Sequence, residues 1–227
     1  MGLLTMQSNH SITLFRILKL LAALLICQVV LVVVGNYSHY YPPNFESDFL
    51  RGREPYFSGA YQWAFSTHIA SGPFSLVLGL IQVSEHFRRR FPAWHRDLGR
   101  IYVVCVLVLV SPSGLWMAYY AAAGPIAAVG LAALAVGTAM CVGLGWRSAV
   151  QRQFADHRRW MLRSYLLLCS AVVIRMMGGL ATVTGVTALW FDPLATWLSW
   201  LIPLAIFECL EWGKRPRGRS SSLPSTG

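Results

Sequence analysis

Two arginine-rich segments of the chain each place a histidine shortly before an apolar run. Tyr102 follows His95 by seven residues, and Tyr165 follows His157 by eight. In both segments an arginine directly follows the histidine, and another arginine lies two residues before the tyrosine. This similarity indicates a weak internal repeat that relates the second and third apolar runs to the fourth and fifth. Chance similarity between two arginine-rich loops is the alternative explanation.

Such a repeat would set His95 and His157 at the same depth, near one face of a membrane. Two helices of a bundle could then direct one imidazole each at a shared centre, which is the arrangement that a six-coordinate haem b requires. Arg100 and Arg163 would pair with the haem propionates. These residues predict a haem site with His95 and His157 as iron ligands. The alternative is that both histidines lie at the membrane interface among lipid phosphates.

The second apolar run carries a stripe of small and polar residues. The stripe consists of His68, Gly72, Ser75, Gly79 and Gln82, spaced by 4, 3, 4 and 3 residues. At about 100° per residue these positions share one helix face, which must contact protein rather than lipid. The glycines allow close approach of another helix or of a flat cofactor, and both explanations are open. Helix packing alone does not explain a histidine on this face.

Arg175 lies inside the fifth apolar run, fifteen residues after Trp160. An intramembrane arginine is costly and normally has a partner, but the apolar runs offer no acid at that depth. Backbone carbonyls, an anionic cofactor group or a lipid headgroup are the candidate partners, and snorkelling to the interface is the alternative. We expect Arg175 and His68 at similar depth, and we predict that they line a second polar pocket together with Gln82.

The composition indicates which kind of protein must position these residues. Hydrophobic residues make up 56% of the chain and charged residues only 12%, against about 25% charged residues in an average soluble domain. The net charge of +10 does not indicate nucleic-acid binding, because the cations lie in short segments between apolar runs. The five cysteines lie in or at the ends of apolar runs without CxxC spacing, which favours neither disulfides nor a zinc site.

The apolar runs predict an all-α membrane protein, a bundle of about six transmembrane helices in a single domain over residues 1–212. The predicted spans are residues 17–35, 61–83, 100–120, 126–146, 160–182 and 194–210. Pro112 predicts a kink in the third span. The first run is longer than the apolar part of a typical signal peptide, so we predict an uncleaved helix, with cleavage as the alternative.

Two further segments lie outside the predicted spans. Residues 36–60 contain three prolines and many aromatic side chains, which is typical of an aromatic belt at the membrane interface. A lid over a site is the alternative interpretation of this segment. Residues 213–227 are basic and rich in Ser, Pro and Gly, which predicts a disordered tail.

The distribution of cations predicts the orientation of the bundle. Arg51 and Arg53 are the only cations in the predicted outer loops. Arginines and lysines are concentrated instead in the N-terminal segment, the two arginine-rich loops and the tail. Because cytoplasmic loops carry the excess of cations, both termini are predicted to be cytoplasmic in a bacterial inner membrane.

A combination of motifs resembles the bacterial membrane family known as domain of unknown function 2306. The motifs are HIASGP from His68, Gly79 and Gln82, His95-Arg96, GRIY from Gly99, Ser113-Gly114, HRRWM from His157 and RSY from Arg163. The resemblance covers Tyr61 to Gly179. It implies a multi-helix inner-membrane protein and no established activity. The chain is also loosely similar to the cytochrome b561 group of transmembrane haem proteins, which place histidines on successive helices. Because the fourth span has no histidine, that likeness implies at most one haem, held by His95 and His157.

Two function classes follow from these residues. The first is a redox protein with a haem b that exchanges electrons with a quinone or a redox partner protein. The second is a non-enzymatic membrane protein without a cofactor: a small transporter, a lipid-binding protein or an assembly partner. The sequence has no GxSxG, HExxH, P-loop or GxGxxG motif, and it does not decide whether the protein is an enzyme.

Overall fold

The computed structural model describes residues 2–47, 49–186 and 188–213, with side chains from residue 17 onward. Six stretches in this part of the chain are long and apolar enough to cross a membrane, which confirms the predicted all-α bundle of about six spans. They are Ile17–His39, Ala60–Gln82, Pro92–Tyr119, Pro125–Val150, Phe154–Thr184 and Phe191–Gly213. Apart from Gly213, the predicted disordered tail lies outside the described residues.

The helices follow one another along the chain with short connections. The first five are α1 (Gly2–Gly35), α2 (Glu54–Phe57), α3 (Ala60–Gln82), α4 (Glu85–Arg90) and α5 (Pro92–Val104). The remaining five are α6 (Ser111–Tyr119), α7 (Pro125–Val150), α8 (Phe154–Leu168), α9 (Ser170–Thr184) and α10 (Phe191–Gly213). A 3-10 turn, Asn36–His39, continues α1.

The third and fifth spans begin earlier than the sequence pattern indicated. The third begins at Pro92 rather than Arg100, and the fifth at Phe154 rather than Trp160. Polar first turns at a membrane interface do not interrupt a helix, because their side chains stay in the polar layer. As a result, His95 and His157 each occupy the fourth position of a helix. This equivalence supports the internal repeat.

The third span is irregular just before Pro112. Over Cys105–Val110 the helix widens to π-type hydrogen bonding, and α6 then starts with Pro112 at its second position. A proline cannot donate a backbone hydrogen bond, so a local change of helix type ahead of it is expected. This π-helical segment lies directly before Pro112, the position of the predicted kink.

The fifth span is divided at Cys169, which lies between α8 and α9 with ψ near −11°. The sequence pattern predicted one continuous span here. His157 lies in α8, before the division, and Arg175 lies in α9, after it. His157 borders a cavity at one end of the bundle, and Arg175 borders a cavity at the other.

The segment between α1 and α3 folds over one end of the bundle as an aromatic cap, residues 36–59. Leu50 and Phe57 are almost fully buried in it. The Tyr37 hydroxyl donates to the Ile69 carbonyl of α3. Arg53 donates to the Tyr61 hydroxyl at 2.8 Å. The cap is therefore packed on the bundle, as the lid interpretation of this segment requires. We call this end the aromatic end, and the end with the arginine-rich segments the basic end.

Candidate functional site

A cavity of about 780 Å³ lies at the basic end, bordered by α3, α4, α5, α7 and α8. We call it the basic-end cavity. The helices α5 and α8 meet through the hydroxyls of Tyr102 and Ser164, and both helices contribute residues to the cavity wall. His95 borders it from α5 and His157 from α8. The structure thus brings the two predicted iron ligands to one cavity, whose volume is within the range of about 300–1,000 Å³ of ligand pockets.

The imidazole of His157 is oriented by the backbone of α7. Its Nδ1 lies 2.8 Å from the Gly145 carbonyl oxygen. A carbonyl only accepts hydrogen bonds, so Nδ1 must carry a proton, and in the neutral imidazole Nε2 then keeps a free electron pair. Histidines that bind metals are usually fixed in this way through their other ring nitrogen. His157 therefore has the tautomer that an iron ligand needs.

Two residues that border the same cavity each have a polar atom that is buried without a partner among the described residues. The atoms are Nδ1 of His95 and Nε2 of the Gln82 amide. Buried polar atoms are normally hydrogen-bonded, because an unpaired one costs about 1–3 kcal/mol. The side chains of Gln82 and His95 therefore keep unused hydrogen-bonding capacity next to the cavity.

Of the two predicted propionate partners, Arg100 borders the cavity and Arg163 does not. Arg100 borders the basic-end cavity, with its guanidinium 3.3 Å from Asp97. Arg163 does not border it, because its guanidinium forms two hydrogen bonds with the Glu208 carboxylate, at 2.5 and 2.9 Å. It also lies 4.6 Å from the centroid of the Trp160 ring. Arg163 thus joins α8 to α10 and is not placed to bind a ligand in this cavity.

Other arginines border the cavity instead, namely Arg88, Arg96 and Arg158. Arg158 directly follows His157 as Arg96 follows His95, so the repeat itself contained the signal that would have identified it. Glu85 also borders the cavity, and a hydrogen bond from Arg89 holds the pKa of its carboxyl below the usual value. The surplus of cations makes the rim attractive to anionic groups.

We expect the ion pair between Arg163 and Glu208 to stabilise the bundle without affecting ligand binding. Glu208→Gln should lower the free energy of unfolding by about 1 kcal/mol or less, since the Glu208 side chain is 46% exposed. Thermal unfolding in detergent measures this change, and Glu211→Gln is the control for a looser contact, 3.5 Å from Arg159. A Glu208→Gln protein that keeps its stability but loses a bound ligand would contradict this assignment.

Two tyrosines from the repeat line the membrane side of the basic-end cavity. The Tyr102 hydroxyl lies 3.2 Å from the Ser164 hydroxyl, and the Tyr165 hydroxyl donates to the Leu76 carbonyl at 3.2 Å. The Tyr165 ring packs directly against Gly79. These contacts fix three helices around the cavity, and they show that a ring of the protein itself occupies the space above Gly79.

A second cavity, of about 530 Å³, lies under the aromatic cap, and we call it the aromatic-end cavity. His68 and Arg175 both border it, as predicted from their similar depth. Nδ1 of His68 lies 3.2 Å from the Ser113 hydroxyl and 3.3 Å from the Val110 carbonyl. Gln82 does not border this cavity, because it lies at the opposite end of α3. The predicted pocket of His68, Gln82 and Arg175 is thus divided between the two ends.

The described residues contain no group of three or more His, Cys, Asp or Glu side chains that could hold a metal ion. A site built only from side-chain ligands is therefore not supported in this part of the chain. Haem iron needs only one or two axial ligands from the protein, since the macrocycle supplies the others. The donor set of the basic-end cavity fits this requirement.

Comparison with known proteins identifies the family of the chain. No curated protein and no solved structure matches it. One family model does match, over residues 65–210, a range that contains the whole lining of the basic-end cavity and most of the lining of the aromatic-end cavity. The chain therefore belongs to the family described as "Predicted membrane protein (DUF2306)".

Proposed function

We propose that the protein binds one haem b in the basic-end cavity and transfers electrons between it and a quinone or a redox partner protein. The observation that supports this proposal is the placement of His95 and His157 at equivalent helix positions on two sides of one cavity. A haem held in this way supplies one-electron transfer. Every other part of the site acts by binding and positioning.

His157 would be the more rigid of the two ligands. The bond from its Nδ1 to the Gly145 carbonyl fixes the ring, and a carbonyl partner raises the basicity of Nε2. Nδ1 of His95 is buried and has no hydrogen-bond partner among the described residues. One proposed ligand would therefore be fixed by the backbone, and the other would not.

The other residues of the cavity would bind the propionates, exclude water and donate a hydrogen bond to the ligand. Arg100 and Arg158 would bind the propionates in place of the predicted Arg100 and Arg163 pair. Tyr102 and Tyr165 would keep water from the membrane side of the cavity, because both rings are buried. The Gln82 amide would donate to an oxygen of the ligand.

The excess of cations at the basic end favours a cytoplasmic position for this end in a bacterial inner membrane. The proposed redox centre would then face the cytoplasm, where a soluble donor or acceptor could reach it. A membrane quinone could reach the same centre from the bilayer.

The test is an ultraviolet–visible spectrum of the detergent-purified protein from haem-replete cells, before and after reduction with dithionite. We expect sharp α and β bands in the reduced protein, as a six-coordinate haem b gives. A colourless preparation would contradict the proposal. The result would favour a small transporter, a lipid-binding protein or an assembly partner instead.

A further inference from the structure

The aromatic-end cavity has features of a binding site that the proposed haem does not use. Arg175 borders it and donates one hydrogen bond, 2.7 Å from Nη1 to the Ala171 carbonyl of its own helix. A guanidinium has five N–H donors. Among the described residues, no carboxylate lies within ion-pair distance of Arg175. The cavity thus contains an intramembrane cation with spare donors.

A second residue of the cavity wall has an unpaired polar group. Ser111 borders the cavity and is only 7% exposed, and its hydroxyl oxygen has no hydrogen-bond partner among the described residues. Ser111 belongs to α6 and Arg175 to α9, so the two residues border the cavity from different helices. Packing alone does not account for the Ser111 hydroxyl, since buried polar groups are normally paired. Arg175 is exposed in the bundle and keeps donors for a ligand.

The cavity lining has two arginines and one aspartate, so its formal charge is positive and favours an anion. Its charged lining residues are Arg53, Arg175 and Asp192. Arg53 already binds the Phe49 carbonyl at 2.7 Å and stacks on the Phe49 ring, so it belongs to the cap. Arg175 is therefore the cation with the most donors left for a ligand.

The rest of the cavity wall is apolar. Most other lining residues are aliphatic or small, and they come from α1, α3 and each helix from α6 to α10. An apolar wall around one cation suits a molecule with an anionic group and a hydrocarbon tail. The tail would replace lipid contacts and the anionic group would satisfy the guanidinium.

We propose that the aromatic-end cavity binds an anionic amphiphile, with its carboxylate or phosphate on Arg175 and its hydrocarbon tail between the helices. His68 lies beside this position, with Nδ1 held by Ser113 and Val110. The Val110 carbonyl only accepts, so Nδ1 carries the proton and Nε2 accepts hydrogen bonds. The site would therefore accommodate a ligand hydroxyl close to the anionic group. This proposal is independent of the haem site.

The test is equilibrium binding to the delipidated full-length protein, followed by native mass spectrometry. The probes are oleate, lysophosphatidylglycerol, uncharged monoolein and inorganic phosphate. We expect oleate or lysophosphatidylglycerol to bind, and monoolein and inorganic phosphate to bind at least tenfold more weakly. The two anionic probes distinguish a carboxylate from a phosphate as the natural anionic group.

The matched variants are Arg175→Gln and Arg147→Gln, because Arg147 is an exposed arginine near the basic end of α7. Arg175→Gln should weaken binding of the anionic amphiphile by about ten- to a hundredfold, and Arg147→Gln should not change it. Ala135→Phe should also weaken binding, since Ala135 borders the cavity and a larger side chain would fill it. This variant keeps Arg175 and tests the cavity if Arg175→Gln does not fold.

Three results would overturn the proposal. Equal binding of oleate and monoolein would show that the charge is not recognised. Binding of inorganic phosphate as tight as that of the amphiphiles would show that the tail is not recognised. Unchanged affinity in a folded Arg175→Gln protein would show that the anionic group lies elsewhere.

Discussion

His157→Ala should abolish the six-coordinate haem spectrum and lower the haem content of the purified protein by about tenfold or more. The Gly145 carbonyl fixes His157 in the tautomer that leaves Nε2 available, so this residue is the better oriented of the two proposed ligands. His95→Ala should also remove the six-coordinate bands and lower the haem content, because the second axial ligand would be lost. Spectra and pyridine haemochrome content of each purified variant measure both changes.

Two histidines provide matched controls for this series. His68 borders the aromatic-end cavity, and His86 is an exposed residue of α4 near the basic end. His68→Ala and His86→Ala should keep the bands and the haem content of the native protein. Loss of the bands in His68→Ala but not in His157→Ala would place the haem at the wrong end of the bundle for our proposal.

The sequence predicted the class of the fold because hydropathy over whole spans is a strong signal. The number of spans and their approximate positions follow from the apolar runs alone. The starts of the third and fifth spans did not follow, because hydropathy does not detect polar helical turns at an interface. The division at Cys169 was also not predicted, since no proline or glycine marks it.

The candidate site was predictable where it depends on the repeat and unpredictable where it depends on a partner helix. His95 and His157 follow from the spacing of two similar segments, and the structure brings them to one cavity. The role of Arg163 depends on Glu208, which lies 45 residues away on α10. No local pattern indicates such a pair, so a nearby arginine was taken for a ligand-binding one.

Gln82 was predicted to share a pocket with His68, but it borders the basic-end cavity instead. The stripe from His68 to Gln82 correctly predicts one face of α3 that contacts protein. The same face extends from the aromatic end to the basic end, however, and it meets a different cavity at each. A helical face specifies direction around the axis, whereas membership of a site also requires similar depth along it.

Two glycines of this stripe differ sharply in what a methyl group would meet. A Cβ at Gly79 would overlap the Tyr165 ring and lie 3.3 Å from Cε2 of Tyr102. A Cβ at Gly72 would have no neighbour within 4 Å. The Tyr165 ring has little freedom to move aside, because its hydroxyl donates a hydrogen bond to the Leu76 carbonyl. Leu76 lies on α3, one turn before Gly79. The two positions therefore form a matched pair within one helix.

We expect Gly79→Ala to destabilise the bundle by about 1–3 kcal/mol, because overpacking displaces a buried ring. Gly72→Ala should be neutral or stabilising by up to about 1 kcal/mol, because alanine favours the helix and meets no obstacle. Thermal unfolding of both variants in the same detergent measures the difference. Equal unfolding temperatures would contradict the close packing of Tyr165 on α3.

The same pair tests what the glycines of the stripe are for. Helix packing and close approach of a flat cofactor were both open from the sequence, and the structure places a protein ring against Gly79. If packing is the reason, Gly79→Ala should lower stability in a protein without haem as much as in one that contains it. A loss of stability confined to the haem-containing protein would assign Gly79 to the cofactor instead, because only a bound ligand would then meet the added methyl group.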